Sequence, residues 1–206
     1  MLVDNFIGIH YRMAPNWFGH IDVNQYKTRP VNYLEIGTFY GANLFSVDKT
    51  YGQHPESKLH CIDPWEDYDE YPEYKNEQPS IYEAFSANLE SSGSKDKITV
   101  HRGYSNVVIP TLEDNFFDMI YIDGDHTYDA VKSDWELCKE KWNKVLLFDD
   151  YHLPTQEEDS NIQCAKVIDQ IEGYDKELVI MDRRIFLDDR GLKDEDIDYG
   201  QVVMVK

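Results

Sequence analysis

The chain has 206 residues, forty acids against twenty bases, and a formal net charge of −20. That length suits one α/β domain, and with 41% hydrophobic residues the chain can bury a core, which excludes wholesale disorder. A surface this negative repels phosphate backbones and anionic lipid, so nucleic-acid and membrane partners are excluded while cations are favoured. Cys61, Cys138 and Cys164 are an odd set without CxxC spacing, which points to a reducing, cytoplasmic compartment rather than a disulfide framework. No run approaches the ~20 apolar residues of a membrane span. The opening MLVDNFIGIHYRM lacks the basic region and small-residue cleavage site of a secretory signal.

From residue 31 onward, short apolar runs alternate with helical patterns. VNYLEIG (31–37) reads as a first strand, and GANLFSVDKTYG after it as a helix. KLHCID (58–63) is a second strand. The acidic, tyrosine-rich stretch 65–79 follows, either a lid or a solvated loop. A helix over 79–92 starts at Pro79, carries Ile81, Phe85 and Leu89 at i, i+4 spacing, and stops at Gly93. KITVHRG (97–103) and FDMIYIDG (117–124) are the third and fourth strands. Tyr128, Val131, Trp135, Cys138 and Trp142 predict a helix from Thr127, its N-cap, to Trp142. KVLLFDD (144–150) is the fifth strand and CAKVIDQIEG (164–173) a further helix. ELVIMDRRIFLDD (177–189) and YGQVVMVK (199–206) read as two strands, joined by a turn at GLKDEDID, that pair antiparallel at the sheet's edge. Runs such as MIYI and VLLF are apolar throughout, as strands covered on both faces are. The architecture expected is a doubly wound α/β sheet, mostly parallel, forming one domain over 1–206 with residues 1–30 as an N-terminal cap on the acceptor side.

Ligands of such sheets lie outside the carboxyl ends of the strands. Gly37 and Gly41 flank the turn after the first strand, where backbone can approach a nucleotide-like ligand. A dinucleotide fingerprint from Gly37 requires a second glycine where Phe39 stands, which argues against hydride transfer with NAD. Asp63, ending the second strand 22 residues after Gly41, can accept from two ribose hydroxyls or can begin a turn with Pro64.

ExGxxxG at Glu35–Gly41, the acid ending strand two, and GxS at Gly103–Ser105 resemble class I S-adenosylmethionine-dependent methyltransferases. YIDGDHTYDAVKSDWELC followed by LLFDDYH is similar to their small-molecule and sugar O-methyltransferase branch, of macrocin and mycinamicin type, with cephalosporin-hydroxylase-like relatives. The likeness spans roughly residues 30–172 and implies a Rossmann-like methyltransferase sheet. It places Glu35, Gly37 and Gly41 at the methionine end of S-adenosylmethionine and Asp63 at the ribose. Tyr104 and Ser105 fall near the adenine and Asp123 beside the sulfonium, with Thr38, Tyr40, Trp65 and Gly103 also expected at the cofactor. Relatives carry Pro-Gly-Gly before the fifth strand, where this chain has Trp142-Asn143-Lys144.

Asp123 and Asp125 close the fourth strand; Asp149 and Asp150 close the fifth. Joined by one helix, these strands are neighbours, about 4.8 Å apart. Four carboxylates so crowded either repel and take up protons, or share a divalent cation, for which oxygen donors suit Mg²⁺ or Mn²⁺. Asp123, Asp149 and Asp150 are the expected ligands; the alternative is that Asp149-Asp150 merely caps a turn and Asp125 the helix starting near Thr127. Such a cation lowers the pKa of an acceptor hydroxyl, and a nearby base then removes its proton. By the resemblance that base is His126, as in mycinamicin-type relatives, or Asp125, as in novobiocin-type ones. His126 has the pKa nearer neutrality.

A sugar or glycoside acceptor is expected against Trp17, Phe18, His20, Trp65, Tyr68, Tyr71, Tyr74, Tyr151 and His152, although fifteen tyrosines mean that many simply fill core or surface. The expected activity is metal-assisted O-methylation. A hydroxylase-like reaction and a non-catalytic S-adenosylmethionine-binding module are the alternatives. A homo-oligomer and membership of a larger glycan-building polypeptide stay open.

Overall fold

The computed structural model describes residues 5–68, 72–152, 163–180 and 199–206. The strands are β1 (Asn32–Ile36), β2 (Lys58–Asp63), β3 (Ile98–Arg102), β4 (Phe117–Ile122), β5 (Trp142–His152), β6 (Asp175–Ile180) and β7 (Tyr199–Val205). The helices are α1 (Ala42–Asp48), α2 (Gln78–Ser91), α3 (Ser105–Val108), α4 (Tyr128–Cys138) and α5 (Cys164–Gln170). The strands form one sheet in the order β3-β2-β1-β4-β5-β7-β6. β1 to β5 are parallel, and β7 pairs antiparallel with both β5 and β6. The expected doubly wound sheet with an antiparallel edge hairpin is therefore what forms; residues 181–198 of that hairpin lie outside the described residues.

Alternation along each strand divides the core in two. Tyr33, Leu59, Cys61, Met119, Tyr121 and Leu147 face α1, α2 and the N-terminal segment, whose Met13, Trp17 and Ile21 are buried there. Leu34, Ile36, Ile62, Ile120, Ile122 and Leu146 face α4 and α5 through Val131, Trp135, Cys138, Val167 and Ile168. The three cysteines are buried and free. No helix among the described residues is long and apolar enough to cross a membrane. Because the chain winds outward from β1 to β3 and then restarts at β4, the strand order reverses between β1 and β4, and a crevice opens at their carboxyl ends.

Three local expectations change. The helix expected to reach Trp142 stops at Cys138, and Trp142 opens β5 opposite Phe117. Its apolar ring suits either element; Lys141 decides, its ammonium bonding Leu112 O at 2.7 Å and Asp114 Oδ1 at 2.6 Å so that the chain turns. The register then slips between Phe117 and Met119, absorbing Asn143-Lys144 where relatives carry glycines. Thr127 occupies the N-cap of α4 without a side-chain cap bond, and Asp125 Oδ1 instead accepts from Thr127 N at 2.8 Å. Finally, a short helix, α3, follows β3. By contrast α2 begins with Pro79 in its first turn, and Gly93 just past its end takes φ +69°, as read from the sequence.

Away from the crevice, the end of α1 is fastened to the α2–β3 connection. Asp48 is buried and accepts from Lys49 (2.7 Å) and Ser94 (2.6 Å), with Lys97 2.5 Å away. Burial alone would raise its pKa, but the hydrogen bonds from Lys49, Lys97 and Ser94 prevail and hold it below the ordinary value. Its stabilising contribution is thus present above the unfolded carboxylate value of about 3.9 and is lost as the pH falls through the lower folded value. Asp48→Asn should cost about 2 kcal/mol at pH 7 and lose that penalty in acid, as read by urea unfolding between pH 2.5 and 7. An equal penalty at both ends would show that the charge is irrelevant.

Candidate functional site

The crevice is a cleft of about 790 Å³ along the carboxyl ends of β1, β2, β4 and β5, with the start of α3 and one side of α4 as further walls. Of the residues expected at the cofactor, Glu35, Gly37, Thr38, Tyr40, Asp63, Tyr104, Ser105 and Asp123 line it. Gly41, Gly103 and Trp65 do not.

The two β1–α1 glycines serve packing. Gly37 has φ +83°, and a Cβ there would stand 1.8 Å from the Asp123 carbonyl oxygen, so its missing side chain lets the ends of β1 and β4 meet. Gly41, at φ +82°, would drive a Cβ to 2.6 Å from Phe45 and 2.9 Å from Phe85. Trp65 is a correction: its backbone takes φ +47° and turns the indole inward, where it packs at a tilt 4.8 Å from Phe85 and donates Nε1 to Phe39 O at 3.0 Å.

Asp63 is largely committed to the main chain. Its Oδ2 accepts from Thr38 N and Phe39 N, both at 2.9 Å, and its Oδ1 from Trp65 N at 2.7 Å. These bonds oppose the rise in pKa that burial causes, and they brace the turn after β1. Glu66 beside it, which sequence reasoning missed, is exposed at the cleft and accepts from Tyr104 OH at 2.6 Å. No periodicity or motif marks it.

Glu35 is 1% exposed. Its Oε2 accepts from Tyr33 OH and Asn43 Nδ2, each at 2.8 Å. Its Oε1 has no hydrogen-bond partner of ordinary length among the described residues. Asn43 was also missed: from α1, its Oδ1 accepts from Met13 N (2.9 Å) and Ala14 N (3.0 Å), tying the N-terminal segment to the cleft floor. Burial pushes Glu35 up to about 8 despite those two bonds.

The acidic group forms where β5 breaks its alternation. Phe148 pairs with Val202 and Tyr151 with Gly200, so Asp149 and Asp150 together oppose Gln201 alone, and Asp150 takes φ +47°. Both aspartates therefore reach the cleft. Gln201, invisible as a site residue in a strand-like VVMV context, locks one of them. It is fully buried; its Nε2 donates to Asp149 Oδ1 (2.7 Å) and Tyr121 OH (2.8 Å), while its Oε1 accepts from Trp17 Nε1 at 2.6 Å. Trp17 thus belongs to the core rather than an acceptor wall. Burial, then the charge of Asp149, raises the pKa of Asp123 well above the ordinary value, and His126 draws it back. His126 is 7% exposed, with Nε2 3.4 Å from Asp123 Oδ1 and 3.6 Å from Asp150 Oδ2. Asp125 is exposed, with one oxygen spent on Thr127 N, as the capping alternative foresaw. Asp123, Asp149 and Asp150 converge in charge, but as folded no three His, Cys, Asp or Glu side chains among the described residues stand close enough together to hold a metal ion.

Of the expected acceptor wall, Tyr68 and Tyr74 line the cleft. Phe18 packs on Tyr51, His20 pairs with Glu177 at 2.8 Å, and Tyr151 OH meets Asp169 at 3.1 Å, all away from it. Tyr71 and the His152 side chain lie outside the described residues. Ile9, Tyr11 and Met13 of the N-terminal segment do line the cleft.

Residues 34–151 match the family described as methyltransferase domain, more than half of the chain, and the chain belongs to that family. Among solved structures it is similar to the O-methyltransferase from Bacillus cereus in complex with SAH, at 16% identity and a TM-score of 0.64, covering 98% of this chain and 86% of that one. It is also similar to the O-methyltransferase TomG from Streptomyces achromogenes, involved in tomaymycin synthesis and in complex with SAM (16%, 0.60, 94% and 86%). A third is precorrin-6y C5,15-methyltransferase from Geobacter metallireducens (10%, 0.58, 100% and 92%). At these identities the likeness establishes a shared fold. No curated protein matches the chain.

Glu35 gives the cleft floor a pH signature. With its pKa raised from 4.5 to about 8, its contribution to stability is complete below pH 4.5 and is lost as the pH rises through about 8. Glu35→Gln, which keeps both acceptor bonds without the charge, should unfold at a higher temperature than the wild type at pH 9 and show a flatter profile between pH 5 and 9. Identical slopes would mean that Glu35 is ionised in the folded protein throughout.

Proposed function

We propose that the chain is an S-adenosylmethionine-dependent O-methyltransferase that methylates a sugar hydroxyl of a glycan or glycosylated small molecule, with a divalent cation at its acidic cluster. The observation carrying this reading is that Asp123, Asp149, Asp150 and His126 all line a methyltransferase-family cleft, with His126 Nε2 3.4 Å from Asp123 and 3.6 Å from Asp150. O-methylation is favoured by the relatives whose printed names are O-methyltransferases, and the sugar acceptor by the IDGDH and FDD segments.

The residues present fit the cofactor. The open Oε1 of Glu35 suits the cationic amino group of its methionine end. Asp63 holds the 38–39 turn in place, and Glu66 offers carboxylate oxygen to the ribose diol. When bound, the sulfonium supplies an electrophilic methyl group with an excellent leaving group, so the protein needs mainly to position and to deprotonate.

The donor set of the acidic cluster also fits a hard cation in kind, since its oxygens repel one another and Asp123 is protonated too readily without a positive neighbour. Asp123, Asp149 and Asp150, which as folded do not stand close enough together to hold an ion, would have to draw closer to bind one; bound there, it would make a nearby hydroxyl more acidic. Gln201 keeps Asp149 aimed at the cleft. His126, against Asp123 and Asp150, accepts the hydroxyl proton at Nε2, and those two carboxylates stabilise the imidazolium that results. Asp125, spent on the start of α4, is a poorer base. Tyr11, Tyr40, Tyr68 and Tyr74 give the cleft aromatic faces for sugar C–H groups and hydroxyls for sugar oxygens.

Methyl transfer from S-adenosylmethionine to a panel of glycosides, followed by mass spectrometry, should stop with excess EDTA and return with Mg²⁺ or Mn²⁺. Full activity in chelator would remove the cation from the mechanism. On the acceptor identified, His126→Ala should lower kcat by about 10²–10⁴ and erase the acidic limb of the pH–rate profile, while Asp125→Asn leaves that limb in place. The reverse pattern would make Asp125 the base.

A further inference from the structure

The cleft is more one-sided in charge than the chain that forms it. Acids outnumber bases two to one overall, yet ten carboxylates line the cleft and, among the described residues, no lysine or arginine does. The lysines neutralise acids elsewhere: Lys49 and Lys97 meet Asp48, Lys141 meets Asp114, and Lys144 meets Asp118. Four of the ten carboxylates are exposed, Glu66 and Asp67 just after β2 and Asp125 and Asp129 at the start of α4. Because β1 stands between β2 and β4 in the sheet, these two pairs flank the cleft from opposite sides. Three of them accept hydrogen bonds from neutral groups, Tyr104 OH to Glu66, Asn76 N to Asp67 and Thr127 N to Asp125, which leave their charge uncompensated.

A second, separate feature calls for a ligand atom of the opposite kind. Gln78, the first residue of α2, lines the cleft while only 3% exposed. Its Nε2 has no hydrogen-bond partner among the described residues. A buried amide donor in that state is costly unless a ligand oxygen serves it. The cleft therefore asks for a molecule that carries both a neutral oxygen and a positive charge, and it holds no lysine or arginine to pair with a phosphate or carboxylate.

Resting on the sugar O-methyltransferase reading above, we infer that the acceptor is a cationic amino sugar, selected by charge. Its protonated amine lies with Asp67 and Asp129, which neither the cofactor nor the proton transfer uses, and a ring or hydroxyl oxygen accepts from Gln78. A cleft lined by one sign of charge concentrates substrate of the other sign and speeds its encounter by about ten- to a thousandfold. Acceptors that carry phosphate or carboxylate are turned away by the same field.

Three derivatives of the acceptor found in the glycoside panel test this, bearing an amine, a hydroxyl or a carboxylate at one non-reacting position. The full chain is used with saturating S-adenosylmethionine and Mg²⁺, and mass spectrometry follows methyl groups added to oxygen. At an ionic strength of about 20 mM the amine should exceed the hydroxyl in kcat/KM by at least about tenfold, with the carboxylate lowest; at about 500 mM its advantage should shrink at least about threefold. Replacing two exposed side chains together, Asp67→Asn with Asp129→Asn, should bring amine and hydroxyl to within about threefold and leave kcat on the hydroxyl compound unchanged. Equal use of amine and hydroxyl at low salt, or an amine preference that the double variant keeps, overturns the inference and leaves sugar methylation intact. If no glycoside at all is methylated, the sugar reading falls and this inference with it.

Discussion

Neighbouring side chains on a regular strand point to opposite faces, so two adjacent aspartates share one cleft only where the strand breaks its alternation. In β5 that break is a bulge. Asp149 and Asp150 oppose the single residue Gln201, and Asp150 adopts a left-handed backbone that any side chain adopts only at a cost of about 1 kcal/mol or more. The chemistry proposed for this protein depends on that local cost. Without the bulge one carboxylate would turn away from the cleft, and Asp123 and His126 would face a single negative neighbour.

The bulge is held from both ends of the chain. Gln201 comes from the last strand and Trp17 from the N-terminal segment, and their amide and indole groups complete a buried series that ends on Asp149. Each donor in it faces an acceptor, so turning the Gln201 amide over would set its NH₂ against the indole N–H. The Glu35–Asn43 pair performs a similar task on the other side of the cleft, fastening Met13 and Ala14 to α1. The N-terminal segment thus acts as part of the core that shapes the site, and only Ile9, Tyr11 and Met13 of it reach the cleft.

Close approach of backbone is the other constraint. Gly37 is needed because the Asp123 carbonyl lies where its side chain would be, and Gly41 because Phe45 and Phe85 do. Residues of a glycine motif first read as making room for a ligand therefore make room for the protein. Carboxylates that line the cleft they open differ in state from one buried elsewhere. Asp48 lies outside it and is held ionised by two lysines, whereas Glu35 and Asp123 inside it lack such partners and are pushed toward their neutral forms. A site of that kind is complemented by positive charge, which is what an ammonium group and a divalent cation would bring.

Read alone, the sequence determined the sheet. Apolar runs of strand length, each ending in Asp or Gly and separated by helical periodicity, specify β1 to β5 and α1, α2, α4 and α5, because burial on two faces imposes that pattern locally. It also determined which residues stand at the strand ends, so Glu35, Gly37, Asp63, Asp123, Asp149 and Asp150 were legible as a group. Tertiary structure alone decided what each one does. Trp17 and Trp65 look like aromatic walls in sequence, yet they entered the core because distant partners, Gln201 and Phe85, offered a hydrogen bond and a ring. Asp63 spends one oxygen on amides 24 and 25 residues away, and His126 gains its carboxylate neighbours from two different strands. Local periodicity records the face on which a side chain is buried. The partner it meets there is set by the crossing of strands remote in the chain, and no spacing rule within one segment encodes that.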